Sequence, residues 1–166
     1  MGMFMDNILF SPWRMKYIIS EKAKRCIFCL DADRGNDEEH LIVHRSTHCF
    51  VILNLYPYNN GHVMVVPNRH VAVLSDCSQG EIHDLFMTVQ LSEKVLMSAY
   101  QPDGINIGMN IGKAAGAGID EHLHVHLVPR WFGDNNFMTC VSGTRVIPEE
   151  FSDSFKRLKE QFDKLT

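Results

Sequence analysis

The chain has 166 residues, 45% of them apolar and 22% charged, with a net charge of −4. That length suits one domain with a sizeable core, and the composition is that of an ordinary soluble globular protein. The mild negative balance offers no electrostatic footprint for a nucleic-acid polymer or an anionic membrane, so any phosphate must be held by local groups.

Residues 1–24 mix Pro12, Trp13 and charges and read as an N-terminal arm with a short turn of structure. Met1 to Asp6 lacks the basic region and long apolar core of a signal peptide. Met1-Gly2 raises lipidation, but Asp6 stands where the myristoylation motif wants Ser or Thr. Five cysteines, an odd and scattered set, argue against a disulfide framework and for a reduced cytoplasmic setting. Cys26-x-x-Cys29 taken alone is ambiguous between zinc, redox use and chance. Cys49, Cys77 and Cys140 read as buried small hydrophobes. No internal repeat or linker divides the chain, which reads as a single domain over 1–166.

After a polar stretch from Asp31 to Glu39, read as a loop or short helix, the pattern turns to strands at Leu41. His48–Leu55 and Gly61–Val66 are rich in β-branched and aromatic residues, and Pro57-Tyr58-Asn59-Asn60-Gly61 between them supplies turn chemistry. The pair should form an antiparallel hairpin. The longest apolar run, Cys49 to Tyr56, is too short to span a bilayer. Ser78-Gln79-Gly80-Glu81 has capping-box spacing, and Ile82, Leu85, Phe86, Val89 and Leu96 then recur at helical intervals up to Pro102. Met87 and Met97 on this helix read as core filler. Ile105, Ile107, Met109 and Ile111 alternate as a strand over Gly104–Ile111. Beyond a loop at Gly133-Asp134-Asn135-Asn136, a short strand is expected near Thr144–Ile147. Pro148-Glu149-Glu150 then opens a last helix, with Phe151, Phe155, Leu158, Phe162 and Leu165 as one apolar stripe, core or dimer contact. The order is that of an α+β fold with a mostly antiparallel sheet, one long central helix and a C-terminal helix.

The chemistry concentrates in His122-Leu123-His124-Val125-His126-Leu127-Val128. A period of two puts Leu123, Val125 and Leu127 on one face and the three histidines on the other, neighbours spaced by about 7 Å. Such a row can bind metal, shuttle protons or attack an electrophile. Just before it, Gly112-Lys113-Ala114-Ala115-Gly116-Ala117-Gly118 is a candidate phosphate cradle, because small side chains let backbone N–H groups approach an anion closely.

His-φ-His-φ-His-φ-φ, with φ apolar, resembles the signature of the histidine triad (HIT) superfamily of nucleotide hydrolases and transferases. Pro12-Trp13-Arg14-Met15 with Tyr17, Cys26-Ile27-Phe28-Cys29, Gly61-His62-Val63, Asn110-Ile111-Gly112, Gly116-Ala117-Gly118 and Pro129-Arg130-Trp131 recur in the same order in that family. Within it the chain resembles the branch containing bacterial diadenosine tetraphosphate phosphorylases (ATP adenylyltransferases). The resemblance implies a HIT-like fold, a homodimer and no organic cofactor.

It further implies that His124 is the nucleophile, oriented by the backbone carbonyl of His122. His126 donates to a phosphate oxygen or leaving group, and His62 is a buried orienting group. Asn54 matches the ribose-binding position and Asn110 the α-phosphate contact, with Gly116, Ala117 and Gly118 as the cradle. Phe28, Ile52 and Leu53 are candidate walls for a base. Zinc-containing relatives imply a structural Cys₂His₂ site from Cys26, Cys29, His70 and His122. The expected activity is cleavage of a dinucleoside polyphosphate at an α-phosphate through a nucleotidyl-histidine, with water or inorganic phosphate as second nucleophile. Alternatives are hydrolysis of a nucleoside phosphoramidate or a shorter dinucleoside polyphosphate, or a non-catalytic nucleotide-binding module. The intact set His122, His124, His126, Asn54 and Asn110 argues against the last.

Overall fold

A computed structural model of the chain describes residues 26–29, 36–134 and 149–166. The N-terminal arm, most of the 31–39 stretch, Cys140, Pro148 and the strand expected near Thr144–Ile147 lie outside the described residues. The hairpin forms as its turn chemistry requires: β2 (Cys49–Leu53) pairs antiparallel with β3 (Val63–Pro67), Leu53 opposite Val63 and Cys49 opposite Pro67. β1 (Ile42–Arg45) adds to the outer side of β2. On the other side β5 (Val125–Arg130) pairs with β3, and β4 (Gly104–Gly108) closes the far edge. The sheet order is β1-β2-β3-β5-β4, every pairing antiparallel.

Among the described residues two α-helices cover one face of this α+β fold: α1 (Gln79–Tyr100) packs on β2, β3 and β5, and α2 (Phe151–Leu165) lies against α1 and β1. The capping box forms: Glu81 N–H donates to Ser78 Oγ at 3.3 Å, and Ser78 N–H to Glu81 Oε2 at 2.8 Å. Arg69 adds a two-pronged ion pair to the same carboxylate, both bonds 2.8 Å. The helix stops at Gln101, which takes the left-handed conformation, ahead of Pro102.

The sheet separates two apolar clusters. Val51, Leu53, Val63, Val65, Leu123, Val125 and Leu127 face the helices with Leu85, Leu96, Leu158 and Phe162. Phe28, Ile42, Phe50, Ile52, Met64 and Val66 form a smaller cluster on the opposite face. Alternate residues along β3 and β5 therefore look to opposite faces, and the histidines share the face of the smaller cluster.

Several expectations are corrected. Met87 and Met97 are 50% and 44% exposed and are not core filler. Of the C-terminal stripe, read as core or dimer contact, Phe155, Leu158 and Phe162 are buried in the core while Phe151 and Leu165 stay exposed, which that reading allows. Cys49 is buried, but Cys77 is only half-buried. The strand expected over Gly104–Ile111 stops at Gly108. Leu53 belongs to the helix-side core, which removes it as a wall for a base on the histidine face.

Candidate active site

The triad segment is not all strand: β5 begins at Val125, and His122 and His124 lie on its approach. His124 Nδ1 sits 2.8 Å from the His122 carbonyl. Leu123 is anchored by donating its N–H to Val71 O at 2.6 Å, so the alternation of faces persists without the ladder.

Backbone groups fix the proton on three rings, because a carbonyl only accepts and a backbone N–H only donates. His124 Nδ1 donates to His122 O, which leaves a lone pair on Nε2. His122 Nε2 donates to Pro67 O at 2.9 Å, which leaves its Nδ1 lone pair toward Cys26 Sγ at 3.4 Å and Cys29 Sγ at 3.8 Å. His62 Nδ1 accepts from the Tyr58 N–H at 3.1 Å, and its Nε2 lies 3.0 Å from His126 Nδ1. The rings of His124 and His126 are 4.8 Å apart and nearly perpendicular.

Burial lowers the pKa of three of these rings, those of His62, His122 and His124. His62 is 1% exposed, and burial, with His126 and His124 adding to it, pushes its pKa down to about 3. Burial likewise lowers His124 and His122, opposed in each by the bond to a backbone carbonyl. A neutral imidazole with an available lone pair is a nucleophile near pH 7, which is the property His124 Nε2 presents. Phe28 packs against both rings, its centroid 5.6 Å from His122 and 5.3 Å from His124.

Asn54 stands beside His62. Its Oδ1 accepts from Tyr56 N–H at 2.9 Å and its Nδ2 lies 3.4 Å from both nitrogens of His62, so the amide turns its donor end to the histidines. Asn110 is half-buried two residues beyond β4. The register that sets Gly108 opposite His126 carries the chain there toward the level of His124. The small-residue loop makes a 3-10 turn over Lys113–Ala115 between Gly112 at φ +80° and Gly116 at φ +85°, the left-handed region that favours glycine. Ile119, one residue past Gly118, packs with the cluster on the histidine face, so Gly116, Ala117 and Gly118 lead into the triad from that side. Lys113 is held 3.7 Å from Asp120 across the loop.

Cys26, Cys29, His70 and His122 converge, each offering one ligand atom, all within 4.8 Å of one another. The turn between the cysteines closes with Cys29 N–H donating to Cys26 O at 3.1 Å, and Cys29 Sγ lies 3.1 Å from His70 Nδ1. Two sulfurs and two imidazoles fit a tetrahedral soft-metal site. The structure thus brings together His62, Asn54, the three triad histidines and the four Cys/His residues. Sequence reasoning missed Tyr58, Asn59 and the Pro67 carbonyl. Tyr58 and Pro67 act through backbone atoms, which residue type does not announce, and Asn59 reads in sequence only as turn chemistry.

A family model described as the HIT domain matches residues 35–133. The AP-4-A phosphorylase of Mycobacterium tuberculosis is 39% identical over 162 residues, covering 93% of this chain and 83% of that protein. The bis(5'-adenosyl)-triphosphatase of Saccharomyces cerevisiae is 35% identical over 91 residues, 54% of this chain and 44% of its own. Among solved structures, a zinc-bound histidine triad family protein from Mycobacterium smegmatis superposes with a TM-score of 0.67 at 27% identity, covering 84% of this chain and 94% of that one. With the domain match spanning more than half the chain and the mycobacterial relative nearly all of it, the chain belongs to the HIT family.

Proposed function

We propose that the chain is a nucleotidyl hydrolase or transferase that cleaves dinucleoside polyphosphates such as diadenosine tetraphosphate at an α-phosphate. The observation that carries the reading is the His124 ring, whose Nδ1–H is committed to the His122 carbonyl and whose Nε2 is thereby left with the lone pair. Attack of Nε2 on the α-phosphorus forms an N–P bond and breaks the bond to the bridging oxygen, which leaves with its electron pair on ATP. The adenylyl-histidine is then opened by water, giving AMP, or by inorganic phosphate, giving ADP. Asn54 offers its amide donor to the ribose, and Asn110 with Gly116, Ala117 and Gly118 holds the α-phosphate. His126 donates to the reacting phosphoryl group, and His62 orients His126. The names of the mycobacterial and yeast relatives support this substrate class.

Zinc at Cys26, Cys29, His70 and His122 belongs to the same proposal, supported by the donor set and its convergence. Four protein ligands leave no open position, so the ion would hold residues 26–29 against the triad approach and take no part in bond making. A cytoplasmic homodimer completes the reading. No helix among the described residues is long and apolar enough to cross a membrane. The test is to incubate the protein with diadenosine tetraphosphate, with and without phosphate, and to separate the products. ATP with AMP or with ADP is the expected outcome, and intact substrate in both tubes would refute the reading.

A further inference from the structure

We propose that Lys113 is the cation that reads the length of the phosphate bridge: a dinucleotide displaces Asp120 from it, and its ammonium group then holds the departing polyphosphate. Turnover therefore favours substrates with more phosphates on the leaving side. The inference rests on the nucleotidyl-transfer reading above and deepens it to the leaving half of the substrate.

The site faces a charge problem. Each phosphate of the bridge is an anion, the chain itself carries a net −4, and two carboxylates, Asp120 and Glu121, immediately precede His122. The amides of Asn54 and Asn110 and the backbone of the small-residue loop are neutral donors and do not offset that charge. Among the described residues the other cations are paired or remote. Arg45 binds Asp37 at 2.7 Å, and Arg69 binds Glu81 at 2.8 Å. Arg130, at the end of β5, is shared between Asp134 at 2.6 Å and Asn106 at 2.8 Å. Lys94, Lys156, Arg157, Lys159 and Lys164 belong to the two helices, which cover the sheet face opposite the histidines.

Lys113 differs on each count. It opens the 3-10 turn of the loop, which is fixed by Ala115 N–H on Gly112 O at 3.2 Å and Gly116 N–H on Lys113 O at 3.0 Å. Its side chain is 77% exposed, and its ion pair with Asp120 is 3.7 Å long. The pairs of Arg45, Arg69, Arg130, Arg157 and Lys159 are all 2.6–2.9 Å. An exposed pair as long as that of Lys113 contributes little to stability and is easily exchanged. It still aims the side chain: Asp120 stands two residues ahead of His122, so the ammonium is drawn across the loop toward the approach to the triad. A Lys ammonium is a compact charge with three donors on a flexible stem, able to pass from a carboxylate to a phosphate oxygen by rotating that stem. Asn110 and Gly116 to Gly118 flank Lys113 in sequence and hold the α-phosphate in this reading. The longer arm of Lys113 reaches the phosphates beyond it.

Adenylyl transfer by the full-length protein, as purified, is measured on an aryl ester of AMP and on the diadenosine di-, tri- and tetraphosphates, whose departing groups differ in phosphate number. Lys113→Gln should lower kcat/KM for the tetraphosphate by about tenfold relative to the aryl ester, the lower range for a charge-assisted hydrogen bond. The loss should grow along the series, and Lys113→Arg should recover most of it. Asp120→Asn removes the competing carboxylate and should act in the opposite sense, raising kcat/KM for the tetraphosphate by about two- to fivefold. An equal loss on all four substrates in Lys113→Gln, no loss on the tetraphosphate, or a fall in Asp120→Asn overturns the proposal but leaves nucleotidyl transfer standing. No turnover of any of the four by the unsubstituted protein overturns the underlying reading. Titration calorimetry with AMP, ADP and ATP reports the contact without turnover. Lys113→Gln should weaken ATP by about tenfold more than AMP, with ADP between them, and Asp120→Asn should tighten ATP. Equal effects on AMP and ATP refute the contact.

Discussion

Gly61→Ala is the substitution whose cost the structure defines most fully. Gly61 sits at φ +69°, and a Cβ built on it would meet three atoms of the Tyr100 ring, at 2.6, 2.9 and 3.0 Å. The left-handed backbone alone costs a residue with a side chain about 1–2 kcal/mol. The steric part depends on whether Tyr100 can yield. Its hydroxyl donates to Glu149 at 2.8 Å, the Arg157 guanidinium lies 5.2 Å over its ring, and Trp131 meets it edge-on. A ring so held should resist as a packed core does, adding about 1–3 kcal/mol. Gly61→Ala is therefore expected to lose about 2–5 kcal/mol in urea unfolding with an unchanged m-value. In a Tyr100→Leu background the steric share should vanish, and the cost of Gly61→Ala should fall to about 1–2 kcal/mol. A loss below about 1 kcal/mol, or the same loss in both backgrounds, would refute the reasoning.

His124→Ala should lower kcat by roughly 10³-fold or more with little change in nucleotide affinity, and added imidazole should partly restore His124→Gly; a near-normal kcat in single-turnover assays would exclude His124 as the nucleophile. Protein prepared without chelator should carry about one zinc per chain, and Cys29→Ala should lose it and unfold more readily; metal content that survives the substitution removes Cys29 from the site. Ser78→Ala, which deletes the helix cap, should cost about 1 kcal/mol in urea, and no change would mean the cap contributes nothing. The His62 pKa is about 3 in the fold against an ordinary 6.5, so between those values the unfolded chain binds the extra proton. Stability should fall on acidification through that window, and His62→Gln should flatten the slope between about pH 6 and pH 4, by up to about 1.4 kcal/mol per unit. Parallel slopes would show that His62 titrates normally.

Features encoded by local chemistry were legible in the sequence. The turn residues from Pro57 to Gly61 fixed the hairpin, Ser78 and Glu81 the start of the long helix, and the alternation at Leu123, Val125 and Leu127 the face that carries the histidines. What escaped depends on partners distant in sequence. The ladder to β4 ends at Gly108, opposite His126, short of the strand that the alternation to Ile111 suggests. Met87 and Met97 carry the right polarity for a core, but nothing local says where the two surfaces packed on α1 end. The site was readable as a set of residues through the family pattern. Which nitrogen of each ring bears the proton was not, since Pro67 O, His122 O and Tyr58 N–H decide it through backbone geometry.

Arg69, next to His70, ties the strap that bears this histidine to the cap of α1, and its carboxylate partner tells how that joint behaves in acid. The ion pair with Arg69, then the bonds from Ser78, hold the Glu81 carboxyl down at about 2 against an ordinary 4.5. Its contribution is therefore complete above the ordinary value and disappears only as pH falls through about 2. Thiolate and imidazole ligands take up protons at far milder acidity. On the zinc reading, acid would empty the site while the strap bearing His70 stays docked. Metal should then return on neutralisation at the speed of ligand deprotonation, without a refolding phase. Glu81→Gln, which weakens the strap, should turn that single fast uptake into a slower, multiphasic one.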